Sequence, residues 1–278
     1  MTVVFISDFF AEDILGGGEI CTERVINHLK TVTKVEKIRS KDCSINFLSD
    51  NASSKFIIGN FVMLSEQVKS FITSNLDYSI YEHDYKFVKN RNPAAYKNFS
   101  VPIDQLVNIS FYKGAKYIIC QSKFQKNIID SNLFLKNTIS LGTNFWTDKQ
   151  YDILEANSSS MKNGFCAIID YRIDHKNTAG AVEFCNSRNM SSEKISGKDY
   201  EMFLDMFGKF TSFAFFPKTP ETFSRTCVEA RMMNMKLYTN ELVGCVHEDW
   251  FSNLVGTDLI DFMKRSNESA LKFFEGIV

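Results

Sequence analysis

Thr211-Ser212-Phe213-Ala214-Phe215-Phe216-Pro217, followed by a helical stretch from Ser224 to Met233 and then by Lys236-Leu237-Tyr238-Thr239, decides the fold class. The first run is apolar and aromatic, is closed by proline, and is too short for a helix, so it reads as a buried strand. The middle segment is helical and the third reads as a strand again. Two strands joined through a helix form a parallel pair, because a parallel connection needs a crossover of that length. Residues 211–239 are therefore one strand–helix–strand unit of an α/β domain.

The same rhythm extends in both directions. Val3-Val4-Phe5-Ile6 reads as a buried strand ending in Ser7-Asp8; Gly16-Gly17-Gly18-Glu19 follows, and Ile20, Val25, Ile26 and Leu29 take up helical spacing. Lys55 to Asn60 and Tyr78 to Asp84 read as strands, with a helix from Phe61 to Thr73 between them. Leu106 to Lys113 is helical and Tyr117 to Ser122 is a strand, after which Ser122 caps a helix through Ile129. Thr147 to Asn163 is polar and contains Ser158-Ser159-Ser160, which marks it as a linker. Beyond it the pattern restarts with a strand from Gly164 to Asp170 and a helix from Thr178 to Ser187. The chain closes on a helix from Asn267 to Glu275. The expected organisation is thus two parallel-sheet α/β domains, residues 1–146 and 164–265, a linker at 147–163, and a C-terminal helix at 266–278. Two domains also suit 278 residues at roughly 150 per domain.

Composition narrows the function. With 32 Lys and Arg against 33 Asp and Glu, the chain is not basic throughout, which argues against a general nucleic-acid packer. Its 44% hydrophobic content excludes wholesale disorder, and its longest apolar runs are far too short to cross a bilayer. The N-terminus lacks a signal-like segment. The seven cysteines form no C-x-x-C pair, so free thiols and a cytoplasmic setting are expected. No Cys/His cluster has zinc-ligand spacing, and no metal site is expected.

In parallel sheets ligands bind beyond the carboxyl ends of the strands, and the reactive side chains of this sequence gather there. Glu221 and Glu229 stand eight apart, flanking the start of a helix, and at about 100° per residue that spacing returns to nearly the same face. The N–H groups around Phe223, Ser224 and Arg225 are donors at a positive helix end, suited to a phosphate or diphosphate. The carboxylates would flank that anion and accept hydrogen bonds from sugar hydroxyls. The loop Asp170-Tyr171-Arg172-Ile173-Asp174-His175-Lys176-Asn177 offers Arg172 as a fork and Lys176 as a point charge to the same diphosphate. Gly17 and Gly18, in a glycine loop that is neither a P-loop nor a dinucleotide fingerprint, allow the backbone to approach a ligand and tolerate positive φ. His83, between Glu82 and Asp84, is expected to favour its charged form.

The run from Glu221 to Glu229, with its continuation to Asn240, resembles the E-x7-E motif of retaining nucleotide-sugar glycosyltransferases of GT-B architecture, in the large family numbered four. The resemblance implies two Rossmann-like domains facing a cleft, with a nucleotide-diphosphate sugar as donor substrate and no permanently bound cofactor. It implies that Glu221 contacts the donor sugar, Glu229 the donor ribose, and the backbone at Phe223-Ser224 the diphosphate. The family usually has glycine after the first glutamate or after the phenylalanine; here Thr222 and Ser224 stand there. It also carries an arginine and a lysine in the loop matched by Arg172 and Lys176, at an interval one residue longer. Its Gly-Gly-x-Glu loop, matched here by Gly16-Gly17-Gly18-Glu19, lies near sugar and acceptor, which implies donor contacts at Gly17 and Gly18 and an acceptor contact at Glu19. A histidine at the place of His83 helps to hold the transferred sugar.

The run Glu82 to Tyr85, with Arg91-Asn92-Pro93, is similar to a small subgroup that includes virus-encoded members. From Tyr85 to Lys126, eight Lys and Arg face one acid, Asp104, with aromatic residues interleaved, which suits an anionic acceptor such as DNA or a phospholipid headgroup. Glu19, Asp84, Lys86 and Arg91 are the candidate acceptor residues. The leading reading is a retaining glycosyltransferase. The alternatives are a phage enzyme glycosylating 5-hydroxymethylcytosine in DNA and a non-catalytic protein that binds nucleotide sugars. A dinucleotide oxidoreductase is disfavoured by the missing glycine fingerprint.

Overall fold

The structure, a computed structural model, describes residues 2–14, 16–197 and 199–278. The chain divides into two compact units. The first comprises residues 1–145 and 267–278, the second residues 146–266.

In the first unit β1 (Thr2–Ser7), β2 (Lys34–Arg39), β3 (Lys55–Ile58), β4 (Tyr78–Glu82), β5 (Ile118–Cys120) and β6 (Thr138–Ser140) form one parallel sheet in the order β2-β1-β3-β4-β5-β6. Its helices are α1 (Gly17–Leu29), α2 (Ile45–Asp50), α3 (Glu66–Asn75), α4 (Ile109–Gly114) and α5 (Lys123–Leu133). Apolar side chains cover both faces of the sheet. Val4, Ile6, Phe56, Ile58 and Ile80 pack with Val68, Ile72 and Phe111 on one side, and Val3, Phe5, Ile57 and Tyr81 pack with Val25, Ile26 and Leu29 on the other. That two-sided burial is why the central strands read as continuous apolar runs.

In the second unit α6 (Asp148–Ser158) precedes a parallel sheet of β7 (Cys166–Ile169), β8 (Ser192–Ile195), β9 (Ser212–Phe215) and β10 (Lys236–Thr239), ordered β10-β9-β7-β8. Its connecting helices are α7 (Thr178–Ser187), α8 (Tyr200–Phe207) and α9 (Arg225–Met232). The last helix, α10 (Gly256–Ile277), supplies Leu259, Ile260 and Met263 to the core of the second unit and Ala270, Leu271 and Phe274 to that of the first.

Two sequence expectations change. The stretch 147–163 is largely the helix α6, not an open linker. Thr147 accepts a hydrogen bond from the Gln150 N–H, the Gln150 side chain answers to the Thr147 backbone, and Tyr151 and Leu154 are buried. The closing helix begins at Gly256, eleven residues before the expected start. All seven cysteines are buried and unbridged. Among the described residues no helix is long and apolar enough to cross a membrane.

Both sheets reverse their order beside the first strand of the unit, between β1 and β3 and between β7 and β9. In open α/β sheets ligands bind beyond the carboxyl ends of the strands at such a reversal of strand order.

Candidate functional site

In the second unit the loop after β7 meets the loop after β9. Asn177 adopts a left-handed backbone (φ 57°), accepts from the Gly180 N–H and donates through Nδ2 to the Phe216 carbonyl at 2.8 Å. Lys218 donates its N–H to the His175 carbonyl at 2.8 Å, and its ammonium pairs with Asp174 at 3.0 Å. These bonds set Lys176 against Glu221, with Nζ 2.8 Å from each carboxylate oxygen. The ammonium also lies over the rings of Tyr171 (5.4 Å) and Phe215 (5.8 Å). Glu221 is held through its backbone, donating to the Leu242 carbonyl and accepting from the Gly244 N–H. Burial, reinforced by the charge of Glu221, keeps the phenol of Tyr171 well above its ordinary pKa.

Four residues after Glu221 the helix α9 begins. Ser224 caps it with φ 72° and ψ 89°, and the first intrahelical bond runs from the Val228 N–H to the Ser224 carbonyl. The amides of the first turn thus lack a partner four residues back, which leaves the helix end suited to an anion. The Phe223 ring is fully buried against Trp250, and its carbonyl accepts from the Cys245 N–H.

Glu229 lies beneath this turn with no exposed surface. Its Oε1 accepts from Trp146 Nε1 (2.7 Å), from the Tyr200 hydroxyl and from Arg225 Nε (3.4 Å), whereas Oε2 is buried without a hydrogen bond. The guanidinium of Arg225 rests over Trp146 and Tyr200 and reaches Gln150. The side chain of Arg225 is therefore structural, and only its backbone faces the helix end. The shared-face argument for the two glutamates does not hold, because Glu221 precedes the helix. Arg172 is exposed and makes no ion pair or hydrogen bond among the described residues, so it is not brought onto Lys176 and Glu221.

In the first unit Asp8, at the end of β1, accepts from the N–H groups of Val62 and Met63 (2.9 and 3.0 Å), and Asn60 donates to Glu19 at 3.2 Å. Gly16 caps α1 with φ −96°, and neither Gly17 nor Gly18 uses the positive φ that glycine tolerates. What Gly18 does provide is clearance, since a Cβ there would sit 3.1 Å from the His83 ring. The ring of His83 bonds Thr22 Oγ1 (3.0 Å) and the Gln121 amide (2.7 Å).

His83 is not held charged by its neighbours. Glu82 turns inward to Lys86 and Tyr112 and accepts from the Asp84 N–H, while Asp84 bonds the Tyr85 N–H and Arg91. Burial, then the Lys86 ammonium, push the imidazole pKa down to about 3. Burial also raises the pKa of Glu82 despite its pairing with Lys86. Lys86 is only 3% exposed and paired with that carboxylate, so it is not offered to an acceptor as expected. Arg91 pairs with Asp84 at 3.2 Å and Lys126 with Asp130, which neutralises part of the basic stretch.

The sequence reading missed Trp146, Gln150, Tyr200, Thr22 and Gln121. Tyr200 lies on α8, a helix with no counterpart in that reading. Trp146, one of two tryptophans, was the available signal, since a buried indole N–H needs an acceptor.

No protein-family model matches the chain, and no curated protein does. Solved structures do. Sucrose-phosphate synthase from Thermosynechococcus elongatus is similar with a TM-score of 0.63 at 10% identity, covering 99% of this chain and 94% of that one. Anabaena HepE, solved with UDP and glucose, has a TM-score of 0.54 at 10% identity over 99% of this chain and all of its own. An α-glucosyltransferase bound to UDP and a 13-mer DNA has a TM-score of 0.52 at 9% identity, covering 98% and 90%. These proteins are GT-B glycosyltransferases, and the two parallel sheets of this chain have the GT-B, Rossmann-like fold.

Proposed function

We propose that this protein is a retaining glycosyltransferase that moves a sugar from a nucleoside-diphosphate sugar to a hydroxyl acceptor. The observation that carries the reading is the Lys176–Glu221 pair at the reversal point of the second sheet, with Glu221 four residues before the amide-rich start of α9. A cation and helix amides suit a diphosphate, and a carboxylate beside them suits sugar hydroxyls. The buried Oε2 of Glu229 is an acceptor in want of a donor, which fits a ribose hydroxyl reached once Tyr200 or Trp146 moves.

In the proposed step the acceptor oxygen bonds to the anomeric carbon on the face from which the diphosphate departs. The bond from that carbon to the diphosphate oxygen breaks, and the acceptor proton passes to the leaving phosphate. Lys176 and the backbone at Phe223, Ser224 and Arg225 bear the charge that grows on the diphosphate, and Arg172, exposed on the same loop as Lys176, is assigned to swing in and join them, help that exists only as the bond breaks. For the first unit we assign the transferred sugar to His83, whose neutral ring donates or accepts without adding charge, and to the backbone of Gly17 and Gly18. Glu19, Asp84 and Arg91 are assigned to the acceptor.

The test is transfer and donor hydrolysis with UDP-, GDP-, ADP- and TDP-sugars. Lys176→Ala and Glu221→Ala should each lower the rate by about a hundredfold or more, the size of losing one preorganised charge-stabilising group. Unchanged rates would mean that the site is misassigned, and binding without transfer in the unmodified chain would favour the non-catalytic reading. A DNA acceptor is supported by the excess of Lys and Arg over residues 85–126 and by the DNA-bound neighbour.

A further inference from the structure

We infer that Glu221 occupies the anion position of Lys176 when no donor is bound, and that this makes the site select the sugar-bearing donor over the bare nucleoside diphosphate. The inference rests on the donor reading above and assigns its specificity to one pair. Both side chains are largely shielded, at 22% and 15% exposure, and the lysine meets both oxygens of the carboxylate at 2.8 Å. The ammonium is backed by the faces of Tyr171 and Phe215, and the backbone of Glu221 is fixed on either side by Leu242 and Gly244. The carboxylate therefore stands where an incoming phosphate would place its oxygens.

A diphosphate that takes Lys176 must displace this carboxylate and leave it without its cation, and a shielded carboxylate deprived of its partner is costly. A nucleotide carrying a sugar returns hydroxyl donors to Glu221, whereas a nucleoside diphosphate returns none. The exchange weakens the product more than the substrate. After transfer Glu221 closes back onto Lys176 and helps to expel the nucleotide.

The experiment is calorimetric titration of the full chain and of Glu221→Gln, Lys176→Met and Asp174→Asn with UDP, GDP, ADP and TDP and with their glucose esters. Unfolding midpoints are recorded to confirm that each variant is folded. With the nucleotide that binds best, Glu221→Gln should bind the diphosphate about tenfold more tightly, equivalent to about 1.4 kcal/mol. It should gain nothing for the glucose ester, so the preference for ester over diphosphate collapses. Lys176→Met should lose both ligands. Asp174→Asn removes an equal charge from the same turn, where Asp174 pairs with Lys218, and should leave the preference intact.

If Glu221→Gln binds the diphosphate no better than the unmodified chain while Lys176→Met loses it, the displaced-carboxylate inference is wrong and the donor site stands. A gain of the same size in Asp174→Asn also overturns it, because the effect is then general charge. If the unmodified chain binds none of the eight ligands, the donor reading itself fails and takes this inference with it.

Discussion

Ser224 holds a conformation that suits glycine. Its φ of 72° with ψ of 89° lies where a Cβ crowds the backbone, at a cost of order 1–2 kcal/mol for an L-residue. Ser224→Gly should therefore stabilise the chain by about 1 kcal/mol, less whatever freedom glycine adds to the unfolded state, and raise the thermal midpoint by about 2 °C. Differential scanning calorimetry reads this directly, and an unchanged or lower midpoint would refute the strain. The departure was visible in the sequence as a serine where the family that the motif resembles usually has glycine, but its sign was not, because φ depends on how Phe223 and Cys245 pin the chain. The charge state of His83 was equally hidden, since adjacency to Glu82 and Asp84 in the chain does not say where their carboxylates turn. An imidazole whose folded pKa is about 3, against 6.5 for the free side chain, binds its proton more readily in the unfolded chain. Its contribution to stability is intact above pH 6.5 and is lost as the pH falls toward about 3. Urea midpoints between pH 7.5 and 4 should fall more steeply for the unmodified chain than for His83→Gln, and equal slopes would exclude this role.

At the scale of elements, helix α9 stands on a buried polar base of Arg225, Glu229, Gln150, Trp146 and Tyr200. Removing one partner of a buried ion pair leaves the other uncompensated, so Glu229→Ala should destabilise the chain by about 3–5 kcal/mol. The double variant Arg225→Met with Glu229→Leu should recover most of that loss in urea unfolding, and failure to recover would show that packing or the hydrogen bonds from Trp146 and Tyr200, not the charge of Arg225, is the cause. The sequence announced this helix and its preceding strand, because β9 is apolar and Pro217 follows two residues after its end. It also held the signal for α6, a Thr147-x-x-Gln150 box, beneath a polar surface that suggests open chain. The edge strands β2 and β8 were not legible, because Lys34–Arg39 and Ser192–Ile195 carry charges where a core strand carries apolar residues. Glu229 could be named from its spacing, but its enclosure could not, since Trp146 and Tyr200 arrive from far along the chain.

At the scale of the molecule, two parallel sheets were readable because strands and helices alternate on both sides of the polar stretch. Donor binding is the property of the whole to measure first. A nucleotide sugar at 100 times its dissociation constant should add about 2.7 kcal/mol of stability, seen as a rise in the thermal midpoint with one of the UDP, GDP, ADP or TDP sugars. Should DNA be the acceptor, its affinity should fall with salt at a logarithmic slope near 0.9 for each phosphate contacted, and a flat dependence would exclude it. Finally, α10 gives Phe274 and Leu271 to the same cluster as Phe5, Tyr81 and Phe145. A single scission at the junction after Phe145 would therefore strip the amino-terminal half of its seal, so any attempt to express that half alone must graft the final segment back on, as a covalent fusion or a co-expressed peptide.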